Sequence, residues 1–253
     1  MATVVSADEQ RILLHNISWE TYERLLTDHL DRSAPRFTFD RGELEIMSPS
    51  PEHERYNDAL RVIIDCLADE LSLEIESLGA ATFKREDIER GFEPDSCFYV
   101  QNEPRVRGKT RIDLGIDPPP DFIIEIDISN SSRGKFPIFA DLGVPEVWLY
   151  NGARLAIFNL DNGRYVESEN SHALPSVSSA DLTELLELRK ASGRTSWLRR
   201  VRLWAPGTIK RVCWLPRENF PFCTQTSAGR RLSRRLVPLI QRTDWRKDGR
   251  DPH

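Results

Sequence analysis

The spacing of apolar positions changes several times along the chain, and each change predicts an element. Residues 16–30 (NISWETYERLLTDHL) put Trp19, Tyr22, Leu25 and Leu26 on one broad face behind a capping Asn16 or Ser18, which predicts a short helix. Residues 36–47 (RFTFDRGELEIM) alternate around Asp40-Arg41-Gly42, the pattern of a β-hairpin. Ser48-Pro49-Ser50-Pro51 then supplies a helix start, with serine to cap and proline at the first helical position. That helix runs to about Leu71, because Tyr56, Leu60, Ile63, Leu67 and Leu71 recur on one face. Strands are predicted at 73–83, 96–100 and 122–129, with a charged loop over 84–95 (KREDIERGFEPD). A helix is predicted over 133–142, with Pro137 confined to its first turn and Gly143 ending it. Strands follow at 145–150, 153–160 and 164–168, joined by Asn151-Gly152 and Asp161-Asn162-Gly163 turns. A helix over 180–190 carries Leu182, Leu185 and Leu186; Gly193 interrupts it, and Trp197, Val201 and Trp204 continue the pattern. Beyond Trp204 the periodicity is lost among basic doublets, Pro and Gly, which reads as a loosely structured extension.

Composition narrows the classes. The chain has 253 residues, 39% of them hydrophobic and 30% charged, so a core can be buried and wholesale disorder is excluded. No apolar run approaches the ~18 residues of a transmembrane helix, and no basic start precedes an apolar stretch, so neither a membrane span nor a secretory signal is expected. Cys66, Cys97, Cys213 and Cys223 form no C-x-x-C pair and read as reduced thiols of a cytoplasmic protein rather than a disulfide frame or zinc site. The net charge of −5 hides an asymmetry. Residues 1–188 hold 18 Lys and Arg against 36 Asp and Glu, whereas 189–253 hold 17 against 4. An acidic body carries a basic tail.

Three places could carry chemistry. In the strand DFIIEIDIS (121–129), Phe122, Ile124, Ile126 and Ile128 line one face, and Ile123, Glu125, Asp127 and Ser129 the other. Carboxylates on a central strand are costly unless paired, hydrogen-bonded or bound to a cation, so Glu125 and Asp127 are candidates; the alternative is an edge strand with one solvated face. Glu93-Pro94-Asp95 sets an aspartate at the start of the next strand, where an ordinary turn residue is the alternative. Asp121, in the competing Pro120-Asp121, lies roughly 13 Å along the strand from Glu125 at ~3.3 Å per residue, too far to share one ion. Asp95 can be brought alongside Glu125 by sheet pairing. Lys135 lies at the start of the helix over 133–142, where a solvated surface lysine is the alternative.

With these residues in place, the run EPDSCFYV…PPPDFIIEIDIS…K…F…GVPEVWLY, preceded by GELEIMSPSPEHE, resembles the Uma family of restriction endonucleases, within the PD-(D/E)XK nuclease superfamily. The resemblance covers roughly residues 10–204. It implies an α/β, restriction-endonuclease-like fold, a mixed sheet flanked by helices with a metal site on one edge. It also implies a nuclease domain over 10–204 and leaves 205–253 as a basic, disordered tail. Asp95 stands where the aspartate of the PD motif stands, and Glu125 where the second acid stands. Asp127 stands where the superfamily has a strand lysine, and Lys135, ahead of Phe139 and Gly143–Trp148, matches a lysine migrated to the following helix. His53 matches a recurrent position on the first core helix, and Glu45 matches more loosely.

The resemblance implies a cytoplasmic endonuclease that hydrolyses phosphodiester bonds of nucleic acid, expected to be DNA. Asp95 and Glu125 would hold Mg²⁺ or Mn²⁺ through hard oxygen ligands. Lys135 would orient water or stabilise the transition state, and His53 would contact the phosphate or a metal-bound water. Homodimerisation, which lets both strands be cut, is expected by analogy. Two other classes stay open. One is a catalytically inactive nuclease-fold module binding nucleic acid or a protein partner, suggested by Asp127. The other is a nucleic-acid-binding protein working through its basic tail.

Overall fold

Ser50 begins the longest helix among the described residues, as its sequence predicts, and that helix covers one face of the larger core. The computed structural model describes residues 9–29 and 34–205. The basic tail expected over 205–253 lies outside them from residue 206 onward. In chain order, β1 (Gln10–Leu14) precedes α1 (Trp19–Asp28), where Ser18 Oγ accepts a hydrogen bond from Thr21 N at 3.2 Å. The expected hairpin is β2 (Arg36–Asp40) and β3 (Glu43–Ser48), turning at Arg41 and Gly42, both at positive φ. Helix α2 (Pro51–Leu71) has Ser50 Oγ accepting from His53 N at 3.1 Å, and it ends where Ser72 turns left-handed at φ 53°.

Next come β4 (Glu76–Gly79), β5 (Phe83–Arg85), β6 (Arg90–Phe92), β7 (Ser96–Tyr99), the short α3 (Glu103–Val106) and β8 (Phe122–Ile126). A 3₁₀ turn over Ser132–Lys135 leads into α4 (Phe136–Asp141), with Pro137 in its first turn. The chain then forms β9 (Glu146–Tyr150), β10 (Leu155–Asp161), β11 (Arg164–Ser168), α5 (Ser179–Ala191) and α6 (Arg194–Trp204).

The class is α/β, as the resemblance implies, but the strands divide into two sheets. A six-stranded sheet has the order β11-β10-β9-β8-β7-β4 and is mixed: β8 and β9 are parallel, and its other pairs are antiparallel. An antiparallel five-stranded sheet has the order β1-β3-β2-β6-β5. Alternation along β8 divides the core as expected. Phe122, Ile124 and Ile126 join Trp148 and Tyr150 beneath α2, α5 and α6, while Ile123 joins Val147, Leu149, Phe92 and Phe139 on the opposite face. β8 is an interior strand, so the edge-strand alternative is excluded. A smaller core beneath α1 gathers Trp19, Tyr22, Phe37 and Phe39, with the Tyr22 and Phe39 rings stacked at 5.0 Å.

Three sequence expectations need correction. The strand predicted over 73–83 is two strands: Gly79, at φ 59°, ends β4, and β5 belongs to the other sheet. The charged loop over 84–95 is largely the β5–β6 hairpin, turned through a 3₁₀ segment and Glu89 at φ 51°. The strand over 122–129 stops at Ile126, because the Asp127 carboxylate accepts from Ser132 N at 2.9 Å and bends the chain into the turn before α4. β1 has no alternation of exposure to reveal it; pairing on β3 holds it.

Arg90 on β6 couples the small sheet to α4. It donates to Asp40 Oδ1 at 2.8 Å, Pro137 O at 2.9 Å and Asp141 Oδ2 at 2.6 Å. Next to it, Gly91 lies under Tyr22. An added Cβ would meet Lys84 Cβ at 2.9 Å and Tyr22 Cε1 at 3.0 Å, in a core with no room to yield. Gly91→Ala is therefore expected to destabilise the protein by roughly 1–3 kcal/mol. Urea unfolding checks this, and an unchanged midpoint would mean that α1 is not seated against β6.

Candidate active site

The antiparallel pairing of β7 and β8 sets Ser96 opposite Ile124 and Cys97 opposite Ile123. Continued by one residue, this register places Asp95 opposite Glu125, and Ile126 N donates to Asp95 Oδ2 at 2.7 Å. Asn57 of α2 fixes the same corner: its Nδ2 donates to Asp95 O at 3.0 Å, and its Oδ1 accepts from Ser96 Oγ at 2.8 Å. Asp95 thus enters the site through sheet register and a helix clamp together.

The Asp95 carboxylate is buried and held between Arg36 and His53. Arg36 on β2 donates through Nη1 to Oδ1 and reaches Glu54 Oε1 through Nη2 at 2.9 Å. His53, in the first turn of α2, sets Nε2 2.9 Å from Asp95 Oδ2. Burial alone would raise the Asp95 carboxyl, but the His53 and Arg36 contacts outweigh it and hold it below the usual carboxylate range. The imidazole responds in the opposite sense. Burial would lower His53, yet the Asp95 carboxylate prevails and raises it, favouring the imidazolium.

Glu125 has weaker compensation. Burial pushes its carboxyl up to about 7; Lys135 opposes this, while Asp95 and Asp127 add like charge. Lys135 Nζ stands 3.8 Å from Glu125 Oε2 and 2.9 Å from Glu45 Oε1. The Lys135 amine is buried, which would lower it, but Glu125 and Glu45 more than reverse that and keep it charged. Glu45 Oε2 in turn accepts from Arg11 of β1. The solvated-lysine alternative is therefore excluded for Lys135.

Asp95, Glu125, Lys135 and His53 are thus gathered into one buried network, with Glu45, Arg36 and Arg11 linked to it. Asp127 is spent on the turn that carries Lys135; burial raises its carboxyl, against the Ser132 hydrogen bonds. Asp121 has another task. Its carboxylate accepts from Val100 N at 2.7 Å and Asn102 N at 2.9 Å, closing the turn after β7. Arg36 was not singled out from the sequence. It is one charged residue in an alternating strand, and its partners lie 18 and 59 positions away.

Hard carboxylate oxygens are the donors that Mg²⁺ and Mn²⁺ prefer. Asp95 Oδ1 meets only Arg36 among these contacts, so an acceptor direction remains on it. Among the described residues no group of three or more His, Cys, Asp and Glu forms a ready cage. The donor set fits a two-carboxylate ion that keeps water ligands, and it does not fit a closed all-protein site.

Residues 19–191 match the family Uma2, described as "Putative restriction endonuclease". A solved structure titled as a putative nuclease belonging to DUF820, from Anabaena variabilis ATCC 29413, aligns at 16% identity with a TM-score of 0.43, covering 68% of this chain and 98% of that chain. No curated protein matches the chain.

The burial of Glu125 has a pH signature. Its folded pKa of about 7 lies above the ordinary glutamate value, so the folded state binds the proton more tightly than the unfolded chain. This group's contribution is intact below the unfolded value and is lost as pH rises through about 7, at a cost approaching roughly 3 kcal/mol. In EDTA, Glu125→Gln is expected to unfold at a higher temperature than wild type at pH 8, with the difference vanishing near pH 4. Thermal melts across pH test this, and a variant less stable than wild type at pH 8 would contradict it.

Proposed function

Because the chain belongs to the Uma2 restriction-endonuclease family, we propose that the buried network at the ends of β7 and β8 is the active site of a divalent-metal-dependent endonuclease acting on DNA. The observation that carries the proposal is the meeting of Asp95, Glu125 and Lys135, supplied by two paired strands and the turn that follows. Asp95 and Glu125 would hold Mg²⁺ or Mn²⁺. When bound, the ion supplies positive charge at the scissile phosphate and lowers the pKa of a coordinated water.

The chain's own residues do the remaining work. Lys135, kept protonated by Glu125 and Glu45, presents a fixed positive charge where negative charge develops on the phosphoryl oxygens. Arg36 and His53 clamp opposite edges of the Asp95 carboxylate, which fixes its orientation and holds it ionised. Ser132 N, bound to Asp127, fixes the turn that delivers the lysine. The enzyme would act in the cytoplasm as a homodimer, so that two such centres address the two strands. No helix among the described residues is long and apolar enough to cross a membrane.

A second reading, a nuclease-fold module without activity, is favoured by two details. Asp95 is already ion-paired to Arg36, and Asp127, one residue past the end of β8, occupies the position two after Glu125 where the resemblance would have a lysine. Calorimetric titration with Mn²⁺ separates the two readings, since an inactive module binds none.

In Mg²⁺, wild type is expected to cleave DNA, and Glu125→Gln and Asp95→Asn to show no cleavage. Lys135→Met is expected to lose about 10²–10³-fold in kcat. The isosteric Asp95→Asn is preferred to Asp95→Ala, because truncation leaves the buried Arg36 charge with only the half-exposed Glu54 and removes the acceptor of Ile126 N. Undiminished cleavage by Glu125→Gln would place the chemistry elsewhere.

A further inference from the structure

Just past Glu125, an open cleft of about 300 Å³ is lined by the 127–131 segment together with Arg133, Leu149 and Asn151. Most of its polar lining is already engaged. Asp127 holds Ser132 N; Asn130 Nδ2 donates to Glu9 Oε1 at 2.8 Å; Asn151 Oδ1 accepts from Ala153 N and Arg154 N. Ser131 Oγ accepts from Arg133 N at 3.3 Å.

Arg133 is different. Its side chain is exposed and makes no ion pair among the described residues; its guanidinium lies over the Phe158 ring, 5.2 Å from the centroid. Stacking on the ring steadies the planar group and leaves its N–H edges free. Other cations near the site are committed: Arg36 to Asp95 and Glu54, Arg11 to Glu45, Lys135 to Glu45 and Glu125, Arg90 to Asp40 and Asp141. A polyanion approaching this acidic cluster therefore meets an uncommitted guanidinium two residues before Lys135, on the same 3₁₀ turn.

We propose that this cleft seats the backbone of the DNA strand next to the cleaved bond, with Arg133 binding its phosphate through the guanidinium edge. The proposal rests on the nuclease reading and adds to it the residue that seats the substrate. Charge complementarity selects the occupant: a fork of N–H donors matches phosphate oxygens.

The test uses the full chain and a fluorescein-labelled DNA oligonucleotide, with anisotropy read in Ca²⁺ at several salt concentrations and cleavage kinetics read in Mg²⁺. Arg133→Ala is expected to weaken binding about 5–10-fold and to lower the slope of log affinity against log salt by about 1, equally for unrelated sequences. KM should rise while kcat changes little. Arg133→Lys keeps the charge and should recover the salt slope. Melting temperatures of both variants show whether loss of the Phe158 stack has disturbed the fold, in which case the lysine variant decides alone. Unchanged affinity and slope in Arg133→Ala, with wild type cleaving normally, would overturn this inference and leave the nuclease reading standing. Wild type that neither binds nor cleaves would defeat both.

Discussion

The pairing register of β7 on β8 is the constraint on which the site depends. Phe98 faces Phe122 across that pair, their rings stacked at 4.9 Å, and the Phe122 ring stacks on Trp148 of β9 at 4.6 Å. A slip of one residue would turn every side chain of one strand to the opposite face. It would separate Asp95 from Glu125 and remove large aromatic rings from the core. The placement of Asp95 beside Glu125 therefore shares its energetics with hydrophobic packing, and neither can shift alone.

Around that register the molecule manages an accumulation of buried charge. Burial disfavours the ionised form of each acid, and the structure answers unevenly. Asp95 has Arg36, His53 and a backbone N–H, so it remains ionised. Glu125 has one amine at 3.8 Å and like charges nearby, so burial prevails and its carboxyl titrates near neutrality. This contrast distinguishes an acid locked into the scaffold from one whose charge the scaffold leaves incompletely balanced. The five-stranded sheet provides Arg36 to Asp95 and Glu45 to Lys135, Arg11 pairs with Glu45 inside that sheet, and Arg90 holds it against α4. The small sheet thus supplies one countercharge to the acid ahead of β7 and one to the amine behind β8.

Local patterns made much of this legible in the sequence. The spacing in α2, the Ser50-Pro51 start, the hairpin at Arg41-Gly42 and the alternation along β8 are short-range signals, and the described elements follow them. Glu125 could be singled out because an acid in a very apolar strand is conspicuous on its own, whereas Asp95, in a Pro-Asp pair that is ordinarily a turn, stood out through the resemblance. What escaped depends on distance along the chain. β5 and β6 are three residues each and rich in charge, which reads as loop; their strand character comes from β6 pairing with β2 and β5 pairing with β6. Arg36 gains its importance only when β2 lies beside the start of β7. Asp127 read as a possible site acid because the strand was expected to continue, whereas its own hydrogen bonds to Ser132 end it.

The two acids and the amine arrive by different mechanical routes. The acids are set by strands whose offset cannot change without unpicking the core, while Lys135 rides at the end of a turn that leaves β8 and enters α4. An inserted or deleted residue between Ser129 and Gly134 would move the amine and leave the acids where they are. A scaffold built this way can relocate one member of its buried charged set through loop length alone, a freedom that a lysine fixed two residues along the strand would not possess.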